Sequence, residues 1–350
     1  MSELLALARP EIRELKPYAH AVWDSAFVRL HANEIPWADE TDGADWRINR
    51  YPEPQPKALN AALAAYYQVE PDRLLVCRGS DEGIDLLIRA FCRAGQDRVM
   101  ICPPTFAMYS FAAAVQGAEV VEVPLDASFD LDAQAVLSAW SPGVKIVFLC
   151  SPNNPTGNRL HTGALEHVLA GLSGRALVVV DEAYIEFSGA ASVVALQARP
   201  ELVVLRTLSK AHGLAGARCG VVLAMPAIID LIARILAPYA LPAPTIAAAQ
   251  AAVAPERLAR MGERVRQLIA ERERLHSALS RLPGVHRIWP SDSNFLLVQF
   301  GDAARAFAVA MRSGLLLRDF SSRPRLEGCL RITVGSPDEN DRLIAGLGAA

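Results

Sequence analysis

Lys210 lies in a short segment whose residue types could bind and activate an aldehyde cofactor. A strand-like run at residues 202–205 precedes it, and Thr207, Ser209 and Arg218 lie nearby among several glycines. A lysine condenses with an aldehyde only as a free amine, and burial or neighbouring cations lower its pKa enough to supply one. The hydroxyls and the guanidinium could also bind a phosphate. We therefore predict a pyridoxal phosphate site with Lys210 as the attachment point; a surface lysine after a strand is the simpler alternative.

Asp181 ends a second strand-like run, in which three valines at residues 178–180 are typical of a buried parallel strand. Ligands of open α/β sheets lie beyond the carboxyl ends of such strands. A carboxylate there could pair with the pyridine nitrogen and keep it protonated, so that the ring accepts electrons when a Cα proton leaves. Tyr184 could reach the ring hydroxyl oxygen. A strand-end aspartate beside a packed tyrosine is the alternative.

The loop at residues 151–157 follows another strand-like run, at residues 145–150. Its sequence, Ser-Pro-Asn-Asn-Pro-Thr-Gly, predicts a sharp turn at the carboxyl end of that strand. The side-chain amide of Asn154 could point from this turn at a ligand, and a plain turn is the alternative interpretation.

Gly79, Ser80 and Asp81 join a predicted strand at residues 74–77 to an amphipathic helix. Small residues before a helix leave backbone N–H groups free to bind an anion. We predict that these three residues form part of a phosphate-binding cup, although Ser80 or Asp81 could instead cap the helix.

Taken in this order, the four segments resemble the fold-type I pyridoxal phosphate aminotransferases, and among them the histidinol-phosphate aminotransferase family. The resemblance covers nearly the whole chain, and the ordered set of motifs is far more specific than any one of them. The further motifs that carry it are Asn33-Glu34, Arg50-Tyr51-Pro52-Glu53, Cys102-Pro103-Pro104-Thr105-Phe106, Leu317-Arg318-Asp319 and Cys329-Leu330-Arg331-Ile332-Thr333-Val334-Gly335.

The resemblance implies a role for each residue around the cofactor ring. Lys210 would bind pyridoxal 5'-phosphate covalently and shuttle the proton, and Asp181 would pair with the pyridine nitrogen. Asn154 and Tyr184 would contact the ring hydroxyl. Lys210, Asp181 and Tyr184 would then form the catalytic group.

The resemblance also implies how the cofactor phosphate is bound. Ser209, Arg218 and Ser80 would hold it within one chain, beside Thr207. Tyr51 would reach it from the other subunit of a homodimer, which predicts an active site shared across an interface.

The implied substrates are two small acidic molecules. Arg331 and Arg318, with Tyr18, would bind the acidic end, and Asn33 and Tyr51 would belong to the same substrate site. A guanidinium pairs equally with phosphate and carboxylate. The implied reaction transfers the amino group of L-histidinol phosphate to 2-oxoglutarate, giving imidazole acetol phosphate and L-glutamate in histidine biosynthesis.

Two positions depart from the family pattern. Phe106 stands where an aromatic ring, often tyrosine, stacks on the cofactor; phenylalanine keeps the stacking surface and lacks the hydroxyl. His212 follows the lysine closely without an assigned role, and we expect a packed or solvated histidine because Lys210 already supplies the acid-base group.

Three other functions are compatible with the same cofactor residues. An aminotransferase for aromatic amino acids would differ only where the substrate side chain binds. A decarboxylase of a phosphorylated amino acid would use the same lysine and electron sink. A non-catalytic regulator on this fold would need a DNA-binding module, for which we expect no room before Tyr18.

The composition predicts a soluble cytoplasmic enzyme. The chain has 350 residues, is 52% hydrophobic, carries a net charge of −3 and contains no apolar run of membrane-spanning length. Its first ten residues lack the pattern of a secretory signal. Six scattered cysteines without C-x-x-C spacing argue against a disulfide framework or a metal site, and the lack of a basic cluster argues against nucleic-acid binding.

The order of patterns predicts an α/β fold with two domains. Strand and helix patterns alternate between about residues 74 and 224, which indicates a mostly parallel sheet covered by helices, and the resemblance implies seven strands. A smaller α+β domain would be formed from the N- and C-terminal segments. We predict an N-terminal segment (1–45) that joins the small domain, a large cofactor-binding domain (46–250) and a small C-terminal domain (251–350).

Overall fold

A computed structural model describes residues 2–18, 24, 27–38, 48–196 and 198–349 of the chain. Its strands are β1 (Leu74–Cys77), β2 (Arg98–Ile101), β3 (Glu119–Glu122), β4 (Val144–Cys150), β5 (Leu177–Asp181), β6 (Leu202–Thr207), β7 (Gly220–Leu223), β8 (Val285–Ile288), β9 (Phe295–Phe300), β10 (Arg318–Asp319) and β11 (Cys329–Thr333). Its α-helices are α1 (Ser2–Ala6), α2 (Pro10–Glu14), α3 (Lys57–Tyr67), α4 (Ser80–Phe91), α5 (Met108–Gln116), α6 (Ala133–Ala139), α7 (Thr162–Leu172), α8 (Pro226–Ala233), α9 (Ala243–Ala252), α10 (Pro255–Leu279), α11 (Ala303–Arg312) and α12 (Pro337–Gly348).

The larger sheet has seven strands in the order β1-β7-β6-β5-β4-β2-β3. Neighbouring strands are parallel except at β7, which runs antiparallel to β1 and β6. In this register Cys150 lies beside Asp181, and Asp181 lies beside Leu205. The carboxyl ends of β4, β5 and β6 therefore meet at one edge, and the predicted fold class is confirmed.

The central strands are buried on both faces, which explains their continuous apolar sequences. Every residue of β5 and β6 is buried. Successive side chains of β4 alternate between two cores: Val147 and Leu149 pack into one, and Phe148 and Cys150 into the other. The two cores, one on each face of the sheet, fix the positions of the strand ends, where the predicted site residues lie.

The smaller sheet is antiparallel, in the order β10-β11-β9-β8. Helices α10, α11 and α12 cover it through a core that includes Leu275, Leu296 and Leu343. Strand β9 has the bounds expected from the sequence, and α10 is the long charged helix predicted before it.

The N-terminal helices differ from the prediction that residues 1–45 join the small domain. Leu4 and Ala8 are buried with α4 and α8 in a core of the large sheet, and the guanidinium of Arg234 binds backbone oxygens around α2. Leu4, on α1, and Ala8, just after that helix, thus pack against the larger sheet. The other predicted boundaries stay predictions: residue 45 lies outside the described residues, and residue 250 falls within α9.

No helix in the described ranges is both long and apolar enough to cross a membrane. The described part of the chain likewise contains no cluster of three or more His, Cys, Asp and Glu side chains that could hold a metal ion.

Candidate active site

A cavity of about 120 Å³ opens at the carboxyl ends of β4, β5 and β6. Its lining includes every predicted cofactor residue except Gly79 and Tyr51. The lining residues are Ser80, Asp81, Phe106, Cys150, Asn154, Asp181, Ala183, Tyr184, Thr207, Ser209, Lys210, Ala215 and Arg218. Segments separated by more than a hundred residues thus meet where the parallel strands end.

Asp181 forms the buried floor of this cavity and is only 2% exposed. Its Oδ2 accepts a hydrogen bond from the hydroxyl of Tyr109 at 2.9 Å, and its Oδ1 accepts the backbone N–H of Ala183 at 3.1 Å. Burial raises the pKa of Asp181 to about 6, and the two hydrogen bonds act in the opposite direction. The carboxyl group is therefore mostly ionised at neutral pH.

Lys210 lies at the exposed mouth of the cavity, with Nζ 5.6 Å from the ring centroid of Tyr184. Partial burial lowers the pKa of Lys210, and the positive charges of Arg331 and Arg218 lower it further, against the opposing effects of Asp81 and Asp181. The geometry therefore provides an amine that loses its proton more easily than an ordinary lysine.

The predicted phosphate end of the cavity combines hydroxyls, a guanidinium and a helix N-terminus. Nη1 of Arg218 lies 3.4 Å from Oγ of Ser209, and that Oγ accepts the hydroxyl of Thr207 at 2.9 Å. Ser80 is the first residue of α4, whose N-cap, Gly79, supplies no side-chain bond to the first-turn N–H groups. This donor set suits a phosphate.

Asp81 differs from the other members of the predicted cup. Its Oδ2 accepts a hydrogen bond from Nη2 of Arg218 at 2.9 Å, which orients the guanidinium. An ionised carboxylate has no proton to donate, so only the backbone N–H of Asp81 could contact a phosphate.

Glycines allow two chain segments to meet behind the phosphate end. Gly79 has φ +79°, and a Cβ there would lie 2.6 Å from Nη2 of Arg218. A Cβ on Gly220, in β7, would lie 2.5 Å from both the carbonyl carbon of Gly79 and the amide nitrogen of Ser80. Strand β7 can therefore support this loop only with glycine at position 220.

Arg331 connects the cavity to the smaller sheet. Its Nη1 donates to Oδ1 of Asn154, and its guanidinium lies 5.2 Å from the ring of Phe295 and 5.6 Å from that of Phe320. Arg318 is its cross-strand neighbour. Neither arginine has an ion-pair partner within the described chain, so the pair presents positive charge beside the cavity.

The remaining predicted substrate residues lie away from this cavity. Tyr18 is largely exposed, and Asn33 and Tyr51 line a separate groove with residues 242–244. The ring of Tyr51 is half exposed and stacks on Tyr239 with centroids 4.6 Å apart. Within one chain, Tyr51 therefore does not reach the cofactor residues.

His212 is packed, as expected. It is 8% exposed, meets the ring of Tyr66 edge-on at 5.4 Å and does not line the cavity. Burial lowers the pKa of His212, which favours a neutral ring.

Sequence reasoning missed Tyr109, Gly220 and three lining residues, Cys150, Ala183 and Ala215. Tyr109 has the pattern of an ordinary core aromatic in α5, and Gly220 that of a glycine opening a strand. Only Cys150 carried a signal, because it directly precedes the predicted Asn154 loop at a strand end.

The fold and the cavity define the class of this protein. A mostly parallel sheet that presents a lysine, a buried carboxylate and a phosphate-binding end at its carboxyl edge is the arrangement of the fold-type I pyridoxal phosphate enzymes. The sequence model for aminotransferase class I and II matches residues 28–347, so the chain belongs to this pyridoxal phosphate-dependent family.

Individual members of this family and of this fold are similar to the chain over most of its length. The chain is 48% identical to a histidinol-phosphate aminotransferase of Stenotrophomonas maltophilia, across all of this chain and 98% of that protein. A solved histidinol-phosphate aminotransferase of Sinorhizobium meliloti in complex with pyridoxal-5'-phosphate is 28% identical, with a TM-score of 0.76 over 86% of this chain and 82% of that one. An L-threonine-O-3-phosphate decarboxylase of Porphyromonas gingivalis is 27% identical, with a TM-score of 0.74 over 86% and 90%.

Proposed function

We propose that this chain transfers the amino group of L-histidinol phosphate to 2-oxoglutarate, giving imidazole acetol phosphate and L-glutamate, as a step of histidine biosynthesis. The observation that carries the proposal is the single cavity in which the amine of Lys210 and the buried carboxylate of Asp181 share a lining with phosphate-binding groups. The full-length similarity to a histidinol-phosphate aminotransferase supports the choice of donor.

The residues present fit pyridoxal phosphate at both ends. Ser80, Ser209 and Arg218 offer hydroxyl and guanidinium donors to its phosphate, and Asp181 offers an ionised acceptor to its pyridine nitrogen. Asn154 and Tyr184 line the cavity between them and would contact the ring hydroxyl. When bound, the cofactor supplies a conjugated ring that accepts electrons from a bond broken next to the amino group.

Lys210 would provide both the attachment point and the acid-base group. Its lowered pKa eases the loss of the Nζ proton, and an unprotonated Nζ could accept the proton leaving the substrate carbon and then return it at the neighbouring position. The Asp181 carboxylate would pair with the positively charged ring nitrogen, and the two donors that it already has favour its ionised form.

Arg331 and Arg318 would bind the phosphate of the donor and a carboxylate of the acceptor in turn. A guanidinium fork pairs with either group, and the guanidinium of Arg331 lies over the rings of Phe295 and Phe320. Two acidic substrates can therefore use one site without a change of charge. Tyr18 would join this site in the homodimer proposed below.

We further propose a homodimer in which Tyr51 of one subunit completes the phosphate end of the other. Tyr51 is half exposed and outside the cavity of its own chain, which suits a role across an interface. A groove of about 650 Å³ runs from Asp81 along α4 and α5 and exposes Phe111 and Val115. Apolar exposure next to the phosphate end favours a partner surface there. Cytoplasmic placement stays a prediction from the sequence.

The test is a spectral titration of the purified protein loaded with pyridoxal phosphate. L-histidinol phosphate should convert the bound cofactor to its aminated form at low concentration, and phenylalanine should need far more. Equal or better conversion by phenylalanine would instead indicate an aminotransferase for aromatic amino acids.

A decarboxylase is tested by its product, because two structural neighbours are named as decarboxylases. Release of carbon dioxide from a phosphorylated amino acid without 2-oxoglutarate would favour that function over transamination. A protein that shows no cofactor absorbance at all would contradict the assignment of Lys210.

A further inference from the structure

Tyr109 lies beneath the cavity and outside its lining, yet it contacts the residue on the cavity floor. Its hydroxyl donates to Oδ2 of Asp181 at 2.9 Å, while the N–H of Ala183 takes Oδ1 at 3.1 Å. Both contacts are donors, so together they favour the ionised carboxylate and leave its remaining lone pairs for a third donor.

The ring of Tyr109 is fixed on two sides. It is fully buried, stacks on Phe148 with centroids 4.8 Å apart and 7° between planes, and meets Phe106 edge-on at 5.6 Å. Phe106 is the residue expected to stack on the cofactor. Because cores are close-packed, the phenol oxygen cannot move away from Asp181 without displacing these rings.

We propose that Tyr109 is a positioning residue that aims the Asp181 carboxylate at the pyridine nitrogen of the cofactor and holds it ionised. This rests on the role proposed above for Asp181. Burial and the nearby Asp181 charge raise the pKa of the Tyr109 hydroxyl well above its ordinary value, so it stays a donor across the working pH range.

Loss of this hydroxyl has a predictable direction. A carboxylate that loses one donor becomes more basic and keeps more of the proton that it would otherwise share with the ring nitrogen. The nitrogen of the bound cofactor should then be less protonated, and the ring a weaker electron acceptor.

The experiment compares Tyr109→Phe with Tyr67→Phe and the unchanged chain, each loaded with pyridoxal 5'-phosphate labelled with ¹⁵N in the ring. Tyr67 is a matched control because its ring is also buried and its hydroxyl has no hydrogen-bond partner in the described chain. In Tyr109→Phe alone, the ¹⁵N resonance should move towards that of neutral pyridine. The kcat should fall about tenfold, the effect of one charge-assisted hydrogen bond, with little change in KM.

The outcomes separate this inference from the proposed function. A protonated nitrogen in the unchanged chain with the same resonance in Tyr109→Phe and Tyr67→Phe overturns the role of Tyr109 and leaves that of Asp181. A neutral nitrogen in the unchanged chain overturns the role of Asp181 itself.

A second variant covers the case in which Tyr109→Phe does not fold. A ring-fluorinated tyrosine at position 109 keeps the ring and makes the hydroxyl a stronger donor. The ¹⁵N resonance should then move towards the fully protonated value, and a shift in the neutral direction would contradict the proposal.

Discussion

Nη1 of Arg331 donates a hydrogen bond to Oδ1 of Asn154 across 2.5 Å, and so joins the smaller sheet to the cofactor cavity. The two residues are 177 positions apart in sequence. Asn154 uses its oxygen for Arg331 and keeps its NH₂ group for another acceptor. The arginine that we propose to bind the acidic group of the substrate is thereby fixed relative to the proposed cofactor ring.

Replacing Arg331 with lysine should weaken the binding of both substrates while preserving the positive charge. Lysine loses the bidentate fork and the contact with Asn154, so KM for L-histidinol phosphate and for 2-oxoglutarate should each rise about tenfold or more. Steady-state kinetics with each substrate varied in turn measures this. Arg287→Lys is the matched control, since Arg287 lies over Trp289 away from the cavity. Unchanged KM values in Arg331→Lys would contradict the assignment.

Replacing Lys210 with alanine should abolish transamination and leave the fold intact. The side chain lies at the exposed mouth of the cavity, so its removal leaves no void in the core. Activity assays and thermal unfolding test the two halves of this statement. Lys57→Ala, at an exposed position on α3, should keep full activity. Wild-type turnover in Lys210→Ala would contradict the role proposed for Lys210.

The Asp181 carboxylate should lower the stability of the cofactor-free protein as pH rises. Its folded pKa of about 6 exceeds the value of 3.8 for an unperturbed group, so the folded state binds more protons between these pH values. Stability therefore falls as pH rises from 4 to 6, by up to about 3 kcal/mol, and the loss is complete above pH 6. Asp181→Asn should remove this dependence.

Urea unfolding of the cofactor-free protein at pH 4 and pH 8 provides the measurement. The free energy of unfolding of Asp181→Asn should exceed that of the unchanged chain at pH 8 but not at pH 4. The variant should nevertheless be inactive. An equal difference at both pH values would show that burial does not shift Asp181 as described.

Strand ends explain why much of this site was predictable from sequence. Lys210 and Asp181 each follow a run of buried β-branched residues, and parallel strands place their carboxyl ends together. Tyr109 was not predictable in the same way. It approaches Asp181 from a helix 72 positions away, and its sequence context matches any core tyrosine.

The N-terminal segment shows another limit of pattern reading. Leu4 and Ala8 would suit any apolar surface, so their periodicity could not tell that they pack on the large sheet. The choice between two cores depends on shape, which a single sequence does not display.

Gly220→Ala should displace the loop that forms the phosphate end of the cavity. The added Cβ would lie 2.5 Å from backbone atoms of Gly79 and Ser80, so the loop must move, at a cost of about 1–3 kcal/mol in unfolding free energy. Affinity for pyridoxal phosphate should fall, as measured by equilibrium dialysis. Gly163→Ala is the control because no atom lies within 4 Å of the corresponding Cβ. Equal affinities would mean that this loop does not bind the phosphate.

Mixed dimers test whether Tyr51 acts across subunits. Chains carrying Lys210→Ala or Tyr51→Ala alone should each have low activity, since every site then lacks one residue. In a mixed dimer, one site combines Lys210 of the Tyr51→Ala chain with Tyr51 of the Lys210→Ala chain, and the other site lacks both.

Random pairing makes half of the dimers mixed, so co-refolding equal amounts should restore about a quarter of the wild-type activity. Restoration would require Tyr51 to act in the neighbouring subunit, because the only intact Tyr51 of a mixed dimer lies on the chain that lacks Lys210. Activity no higher than the mean of the two variants would place Tyr51 outside the shared site.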